Sequence, residues 1–167
     1  MVEASFIRMG IGFDAHSLQN GRKLFLGGVK IPFKRGLAGH SDADVLLHAI
    51  TDALLGAAGL GDMGTYFPSS DEKFKDVSSV HLLREAVRMV VQEKFRINNV
   101  DTVIVAQEPK LAPYLSEMKK AISDALEVDP GSVNVKVKTT DGLGFLGRKE
   151  GIAAYAIATI ISNEKTP

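Results

Sequence analysis

The amino-acid sequence predicts a single α+β domain, with a mixed four-stranded β-sheet, an additional hairpin and helices on one face of the sheet. Apolar residues recur with the 3.6-residue period of a helix in three segments. Single strand-like segments separate these helices, an order that is typical of α+β layers. The 167 residues have the length of one domain. We place that domain at residues 6–162, between an N-terminal extension (1–5) and a C-terminal tail (163–167).

The first predicted elements are a strand over Phe6–Phe13 and a tight hairpin over Leu24–Ile31. Gly27 and Gly28 can take the positive φ angles that a two-residue hairpin turn requires. Both segments are rich in apolar residues, so we expect them to contact the core.

The clearest helix is predicted over Ala43–Leu60. Ser41 can cap its N-terminus, with Asp44 as a shorter substitute for the glutamate of a capping box. Its polar face is either solvated, as such faces normally are, or part of a ligand-binding site. The apolar stripe, at i, i+3, i+4 and i+7 spacing, consists of Ala43, Leu46, Leu47, Ile50 and Leu54.

Two further helices and three strands complete the prediction. The helices are expected over Ser79–Phe95 and from about Pro113, and the strands over Val100–Ala106, Val133–Thr139 and Gly151–Ile161. The last segment is apolar and ambiguous, but its two-residue alternation favours a strand. A sheet with two apolar faces needs a second cover, so we expect oligomerisation through the sheet. The expected core residues of the two helices are Val80, Leu83, Val87, Val90 and Val91, then Leu115, Met118, Ile122 and Leu126.

Composition excludes several classes of function. Lys and Arg number 20, as do Asp and Glu, and this zero net charge argues against nucleic acid or an anionic membrane as the main partner. The absence of cysteine removes disulfides, thiolate metal sites and cysteine nucleophiles, and it fits a reducing cytoplasm. We find no signal peptide and no apolar run long enough to span a membrane. Walker, dinucleotide-binding and serine-esterase motifs are also missing.

Three of the four histidines lie within 33 residues, among many aspartates. Asp14 and His16 are two residues apart, a spacing that places both side chains on the same side of an extended segment. They can therefore bind one metal ion. The alternative is that Asp14 shapes a turn and His16 is an ordinary surface residue, and the short motif alone does not decide between them.

His48 strengthens the metal hypothesis. It lies on the polar face of the predicted helix, one turn before Asp52, so it can act as a ligand that Asp52 orients. A solvated polar face is the alternative interpretation. Two histidines and one aspartate would leave the fourth position of a zinc ion open, as in catalytic rather than structural sites.

Polar segments follow several predicted elements. Gly39–Asp42 precedes the first helix, where free N–H groups favour a phosphate, although helix capping alone would explain the segment. The turn-rich loop from Gly61 to Asp71 and the connector Gln107–Lys110 can be plain connections. The segment Thr139–Phe145 follows the end of a predicted strand, a position where α/β proteins often bind ligands.

The chain resembles the 2-C-methyl-D-erythritol 2,4-cyclodiphosphate synthase family. Each shared motif is weak alone, but eight in order over about residues 6–162 are highly specific. These motifs are GFDAH (12–16), AGHSDADV (38–45), LHA (47–49), TDALLGAA (51–58), LGDMG (60–64) with FP (67–68), AQEPK (106–110), TTD (139–141) and LGFLGR (143–148).

The resemblance implies a chorismate-mutase-like α+β protein that forms a homotrimer, with three sheets packed around a threefold axis and active sites between subunits. It implies cyclisation of 4-diphosphocytidyl-2-C-methyl-D-erythritol 2-phosphate to the 2,4-cyclodiphosphate, with release of CMP, in the non-mevalonate isoprenoid pathway. The enzyme class is a metal-dependent, cyclising phosphorus–oxygen lyase. The reaction needs positioning and charge neutralisation, because the attacking phosphate is already an anion.

The resemblance also implies the roles of individual residues. Asp14, His16 and His48 would bind one zinc ion per subunit, and His40 and Thr139 would stabilise the transition state. The residues implied in substrate binding are Asp14, His16, His40, Ser41, Asp62, Gly64, Phe67, Pro68, Ser69, Ser70, Asp71, Ala106, Gln107, Pro109, Lys110, Leu111, Ala112, Thr139, Thr140, Asp141, Phe145 and Arg148. A central cavity lined by Phe13, Phe145 and Arg148 would hold an isoprenoid diphosphate.

One departure from the family touches a functional position. The family usually has glutamate where Asp141 stands, and that glutamate contacts a second divalent cation, magnesium or manganese. Asp141 can keep this role through a bridging water, or it can merely shape the turn before Gly142. Two other function classes stay open at this point: a zinc-dependent nucleotide phosphohydrolase, and a non-enzymatic trimeric ligand-binding protein with structural zinc.

Overall fold

The computed structural model describes residues 6–162, so the predicted extension and tail lie outside the described residues. Three short 3₁₀ turns, at Glu72–Phe74, Ala112–Tyr114 and Pro130–Ser132, link some of the elements. The strands are β1 (Ile7–Asn20), β2 (Leu24–Leu26), β3 (Val29–Ile31), β4 (Arg35–Leu37), β5 (Phe95–Val105), β6 (Val133–Lys138) and β7 (Gly151–Ser162). The helices are α1 (Val45–Ala58), α2 (Met63–Tyr66), α3 (Ser79–Gln92), α4 (Leu115–Leu126) and α5 (Gly144–Gly147).

The main sheet has five strands in the order β4-β1-β7-β5-β6, rather than the four predicted. Only β5 and β6 are parallel, so the sheet is mixed, as expected. The additional strand is β4, which pairs with the end of β1 from Leu18 to Asn20. Its three residues are too few for a two-residue period to stand out in the sequence. The predicted hairpin is confirmed as β2–β3, with Gly27 and Gly28 both at positive φ.

Strand β1 is longer than the predicted Phe6–Phe13 because β7 pairs with it over eleven positions, from Ile7–Ile161 to Ser17–Gly151. This pairing carries Asp14 and His16 on a regular strand instead of a loop. Their two-residue spacing therefore does place both side chains on one face of the sheet.

The boundary between α3 and β5 also differs from the prediction. Helix α3 ends at Gln92 rather than Phe95, and Phe95 instead begins β5, opposite Ser162 of β7. Val91 was expected in the core but is 54% exposed, because the buried side of α3 is formed by Leu82, Leu83, Ala86, Val87 and Val90.

Helix α1 is buried on nearly all sides, so the solvated alternative for its polar face is wrong. Asp44, rather than Ser41, is its N-cap and accepts a hydrogen bond from the Leu47 N–H. The same carboxylate accepts from the N–H groups of Gly27 and Gly28. Burial raises the pKa of Asp44, which these three donors oppose. Asp44 thus ties the hairpin turn to the start of α1.

The helices cover one face of the sheet, and the other face carries exposed apolar side chains. Met9 and Ile11 are 73% and 72% exposed, and Phe13, Tyr155 and Ile157 continue the same surface on β1 and β7. The rings of Phe13 and Tyr155 lie 4.7 Å apart. Within residues 6–162, no helix is long and apolar enough to cross a membrane.

Candidate active site

Two glycines bring α1 unusually close to β1. A Cβ atom at Gly10 would lie 2.0 Å from the carbonyl oxygen of Ala53, and one at Gly12 would lie 1.9 Å from that of Ala49. Both distances are shorter than any real Cβ contact, so only glycine permits this packing. The close approach brings His48 of α1 over Asp14 of β1.

Asp14, His16 and His48 form one compact cluster. The Oδ2 atom of Asp14 lies 2.8 Å from Nδ1 of His48 and 3.0 Å from Nε2 of His16. One ligand atom from each residue lies within 4.8 Å of the other two. Across residues 6–162 this is the only such group of three or more potential ligands. The structure therefore brings together the three residues that the sequence predicted to bind a metal.

The two imidazoles are held by the nitrogens that face away from the cluster. Nδ1 of His16 contacts the carbonyl oxygen of Ala38, and Nε2 of His48 lies 2.9 Å from the hydroxyl of Ser79. Histidines that bind metals usually donate their other ring N–H in this way. Two nitrogens and one carboxylate oxygen that lie within 4.8 Å of one another fit a divalent metal ion with N and O ligands.

The hydrogen bonds within the cluster favour the charged forms of Asp14 and His16. Burial alone would raise the pKa of Asp14, but hydrogen bonds from His16 and His48 outweigh it and hold that pKa well below its usual range. The hydrogen bond to Asp14 likewise raises the pKa of His16. Asp14 is therefore a carboxylate, the form that binds a metal ion.

A pocket of about 280 Å³ opens above the cluster. It brings together eight of the predicted site residues: Asp14, His16, His40, Ser41, His48, Gly64, Phe67 and Ser69. Four lining residues were not predicted as substrate contacts: Asp52, Met63, Phe74 and Leu82. Met63 and Phe74 belong to the polar loop, and their type alone gave no signal of a site.

Asp52 does not orient His48 through a hydrogen bond, contrary to the prediction. Its carboxylate accepts instead from the Met63 N–H, at 2.7 Å, and so fixes the start of α2. Burial raises the pKa of Asp52. The partner of His48 is Ser79, which the sequence analysis missed because it lies 31 residues away.

The loop between α1 and α3 is fastened to the segment before α1. Nε2 of His40 lies 3.1 Å from the carbonyl oxygen of Asp71, and the N–H of Asp76 donates to the carbonyl of His40. Asp62 caps α2 by accepting from the N–H and hydroxyl of Thr65, and these bonds lower its pKa. Of the remaining predicted loop residues, Pro68, Ser70 and Asp71 lie in this loop but do not line the pocket.

The other predicted residues form a second group, here called the β5–β6 cluster: Ala106–Ala112 and Thr139–Asp141. Their backbones meet where β5 and β6 end, with the Ala106 N–H donating to Lys138 and the Gly142 N–H to the side chain of Gln107. Thr139, Asp141 and Lys110 are exposed. The hydroxyl of Thr139 donates to Asp141, which has a left-handed φ of 51° beside Gly142. This turn geometry matches the turn-forming interpretation of Asp141.

Glu108 anchors the first segment of the β5–β6 cluster. Its carboxylate accepts from Nη2 of Arg35 at 2.9 Å and lies 3.1 Å from Nζ of Lys149. The hydrogen bond to Lys149, above all, lowers the pKa of Glu108. The sequence analysis did not single out Arg35 or Lys149, because all three residues are distant in sequence.

Phe145 lies in α5 and Arg148 directly follows it, just before β7 begins. Phe145 borders a shallow pocket with Ala15 and His16, and Arg148 donates to Glu150. Arg148 is exposed.

The two groups of site residues are separated within one chain. β1 and β6 are three strands apart, which corresponds to about 14 Å at the usual strand spacing. One row across the sheet contains Ala15, Ala153, Val105 and Lys138, so both groups lie at the same end of the strands. A single phosphate cannot contact both.

Comparisons with known proteins agree on one family. Residues 7–161 match the YgbB family. The 2-C-methyl-D-erythritol 2,4-cyclodiphosphate synthase of Alkaliphilus metalliredigens is 55% identical over 154 residues, which cover 92% of this chain and 97% of the relative. The IspF–CDP complex of Plasmodium falciparum is 35% identical with a TM-score of 0.83, covering 95% of this chain and 97% of the other. The bifunctional IspDF of Campylobacter jejuni is 43% identical with a TM-score of 0.92; this chain is covered to 95% and spans 43% of the bifunctional protein.

Proposed function

The chain belongs to the YgbB family of 2-C-methyl-D-erythritol 2,4-cyclodiphosphate synthases, and from that membership we propose how its residues carry out the reaction. It is an enzyme of the lyase class that acts in the non-mevalonate isoprenoid pathway. The substrate, the metals, the residue roles and the assembly given below are the proposal. The cluster of Asp14, His16 and His48 at the base of a pocket is the observation that supports it most strongly.

The proposed substrate is 4-diphosphocytidyl-2-C-methyl-D-erythritol 2-phosphate. An oxygen of its 2-phosphate attacks the β-phosphorus and forms a new P–O bond. The bond between the β-phosphorus and the oxygen that bridges to the α-phosphorus breaks, and CMP leaves with that oxygen and the electron pair. The nucleophile carries its own charge, so the chain needs no general base.

Asp14, His16 and His48 would hold zinc, one ion per subunit. This assignment rests on the donor set of two imidazole nitrogens and one carboxylate, on their mutual distances and on the two bonds that hold the rings. When bound, the metal would supply a Lewis acid that neutralises charge on a phosphate oxygen. The three protein ligands leave one position for that oxygen.

The pocket and the loop beside it would bind the methylerythritol part of the substrate. Asp62, Gly64 and the segment Phe67–Asp71 are the proposed contacts, and Phe67 and Phe74, with ring centroids 5.5 Å apart, supply an apolar wall. His40 would stabilise the transition state from beside the cluster. Its Nε2 now contacts the Asp71 carbonyl, so donation to phosphate requires that contact to be exchanged.

The β5–β6 cluster would bind the cytidine and its phosphates. The CDP complex of the Plasmodium falciparum relative supports nucleotide binding in this fold. Lys110 and Thr139 are exposed donors at one edge, which suits a diphosphate, and Thr139 would help to stabilise the transition state. Asp141 would hold the second cation, magnesium or manganese, through a water, because its carboxylate is one methylene shorter than the family's glutamate.

The assembly would be a homotrimer with active sites between subunits. The exposed apolar surface of β1 and β7 needs a cover, and packing three such sheets around an axis provides it. In this arrangement the pocket of one chain would meet the β5–β6 cluster of its neighbour, which resolves the separation of about 14 Å inside one chain. Phe13, Phe145 and Arg148 would line a central cavity that can hold an isoprenoid diphosphate.

A cytoplasmic location also stays a prediction, from the absence of cysteine.

The product and the metal content test this proposal. Incubation with the diphosphocytidyl substrate should give the cyclodiphosphate and CMP, whereas a linear bisphosphate would indicate the zinc-dependent phosphohydrolase. Elemental analysis should find about one zinc per chain.

A histidine variant separates catalytic from structural zinc. His48→Ala should lose zinc and activity but keep its circular dichroism spectrum, while His81→Ala, an exposed histidine away from the pocket, should keep all three. Unfolding of His48→Ala would instead indicate that the zinc is structural.

A further inference from the structure

Ser79, the first residue of α3, lies between a histidine and a carboxylate. Its side chain is fully buried, and its hydroxyl is 2.9 Å from Nε2 of His48 and in short contact with Oδ1 of Asp42. Ser79 appears above only as a hydrogen-bond partner of His48, and Asp42 has no assigned role. A buried serine between two such groups restricts where each proton can be.

Counting donors and acceptors gives the direction of each bond. The carboxylate of Asp42 can only accept, so the Ser79 hydroxyl donates to it. The same carboxylate also accepts from the backbone N–H groups of Ser79 and Asp44, which hold it in place. The Ser79 oxygen is then left as an acceptor, and His48 must supply the proton from Nε2.

Nδ1 of His48 donates to Asp14 in this structure, so Nδ1 is the nitrogen at which a metal ion would replace a proton. Nδ1 is the atom that faces the cluster, 2.8 Å from Oδ2 of Asp14. We propose that Ser79, oriented by Asp42, is a positioning residue that fixes the ring orientation and the Nε2–H form of His48, and thereby sets the affinity of the Asp14–His16–His48 cluster for zinc. The inference rests on the zinc site of the proposed function.

Two other groups near His48 are weaker candidates for this role. Ser41 lies 3.3 Å from the same Nε2, and its oxygen accepts from the Ala43 N–H, which leaves the direction of its own O–H unfixed. The carboxylate of Asp52 accepts from the Met63 N–H instead of from His48. Of the two serines, Ser79 is closer to Nε2, and Asp42 fixes the direction of its O–H.

Zinc affinity of Ser79→Ala is the direct test, with Ser78→Ala as the matched control. Ser78 caps α3 through the Val80 N–H and is exposed, so its loss weakens the helix without touching His48. Competition with a chelator should show zinc binding about 10- to 100-fold weaker in Ser79→Ala and unchanged in Ser78→Ala. Equal zinc affinity in Ser79→Ala and the unsubstituted chain would overturn the inference, whatever happens to the melting temperature.

The role of Asp42 predicts a specific non-additivity. If Asp42 acts through Ser79, the double variant Asp42→Ala with Ser79→Ala should bind zinc no more weakly than Ser79→Ala alone. A double variant whose loss equals the product of the two single losses would show that Asp42 acts by another route and overturn that part of the inference.

A spectroscopic measurement on the unsubstituted chain does not depend on any variant folding. In ¹⁵N-histidine spectra of the zinc-loaded protein, His48 should carry its proton on Nε2 and bind zinc through Nδ1. Zinc on Nε2 would overturn the inference while leaving the proposed function intact. A chain that binds no zinc and forms no cyclodiphosphate would instead remove the proposed function and the inference together.

Discussion

The Asp14–His16–His48 cluster and the β5–β6 cluster lie at the same end of the strands of one sheet but are built in opposite ways. The first is packed between a strand and a buried helix, and each side chain has a partner on both sides. The second consists of a strand end, a turn and exposed side chains such as Lys110 and Asp141. One chain thus brings its proposed metal ligands together but leaves its proposed nucleotide site open.

The difference teaches where each half of the site gets its order. The metal half is fixed by folding, because Gly10 and Gly12 let α1 press onto β1. The nucleotide half is fastened only at its base, by Glu108 to Arg35 and Lys149 and by Gln107 to Gly142. Its exposed groups need either substrate or a neighbouring chain before they act in a defined geometry.

The largest effect should follow from filling the space between α1 and β1. Gly12→Ala places a Cβ within 1.9 Å of the Ala49 carbonyl oxygen, so the helix must move. We expect the free energy of unfolding, measured by urea denaturation, to fall by about 3 kcal/mol. We also expect the variant to lose its zinc, which metal analysis measures. In Gly56→Ala, the new methyl meets nothing within 4 Å and should add about 1 kcal/mol of stability. Normal zinc binding in Gly12→Ala would refute the link between this packing and the metal ligands.

A charge on the exposed apolar surface of β1 and β7 should reduce activity while leaving zinc binding unchanged. Ile11→Lys places a cation on a side chain that is 72% exposed in one chain but buried in the proposed trimer. Light scattering should report monomers, and activity should fall by about 100-fold or more, because burying an unpaired charge is costly. Zinc should remain at one per chain, since one chain supplies all three ligands. Val91→Lys, at an exposed valine of α3, is the control and should stay trimeric. A monomeric but fully active Ile11→Lys would contradict the need for a neighbour.

A smaller effect is expected at Asp141. Asparagine tolerates the left-handed φ of 51°, so Asp141→Asn should keep the turn, the trimer and zinc. It removes the negative charge, so the magnesium concentration for half-maximal rate should rise several-fold, which a titration of initial rates measures. An unchanged magnesium dependence would mean that Asp141 only shapes the turn.

The sequence predicts the three long helices and most strands because their hydrophobic periods extend over many residues. It does not predict β4, which has three residues, or the long extension of β1, which depends on pairing with the distant β7. The sequence left open whether the polar side of α1 is solvated, since composition alone cannot reveal that α3 packs over His48 and supplies Ser79.

The candidate site divides in the same way. Asp14, His16 and His48 could be predicted because histidine is scarce in this chain and three of its four histidines lie within 33 residues. Most of the other assignments came from resemblance to a family, and the structure gathers eight of the predicted residues into one pocket. Ser79, Arg35 and Lys149 could not be predicted, because their partners lie 31 or more residues away and no short motif joins them.

Complementation between two inactive variants tests most directly whether one active site uses two chains. His48→Ala removes the metal half of its own chain, and Lys110→Ala weakens the nucleotide half. After equimolar mixing and subunit exchange, confirmed by mass spectrometry of mixed trimers, about one quarter of the sites should combine two intact halves. We therefore predict recovery of about one quarter of the unsubstituted rate from two preparations that are each inactive. Confirmed exchange without any recovery would contradict the shared site and assign both halves to the same chain.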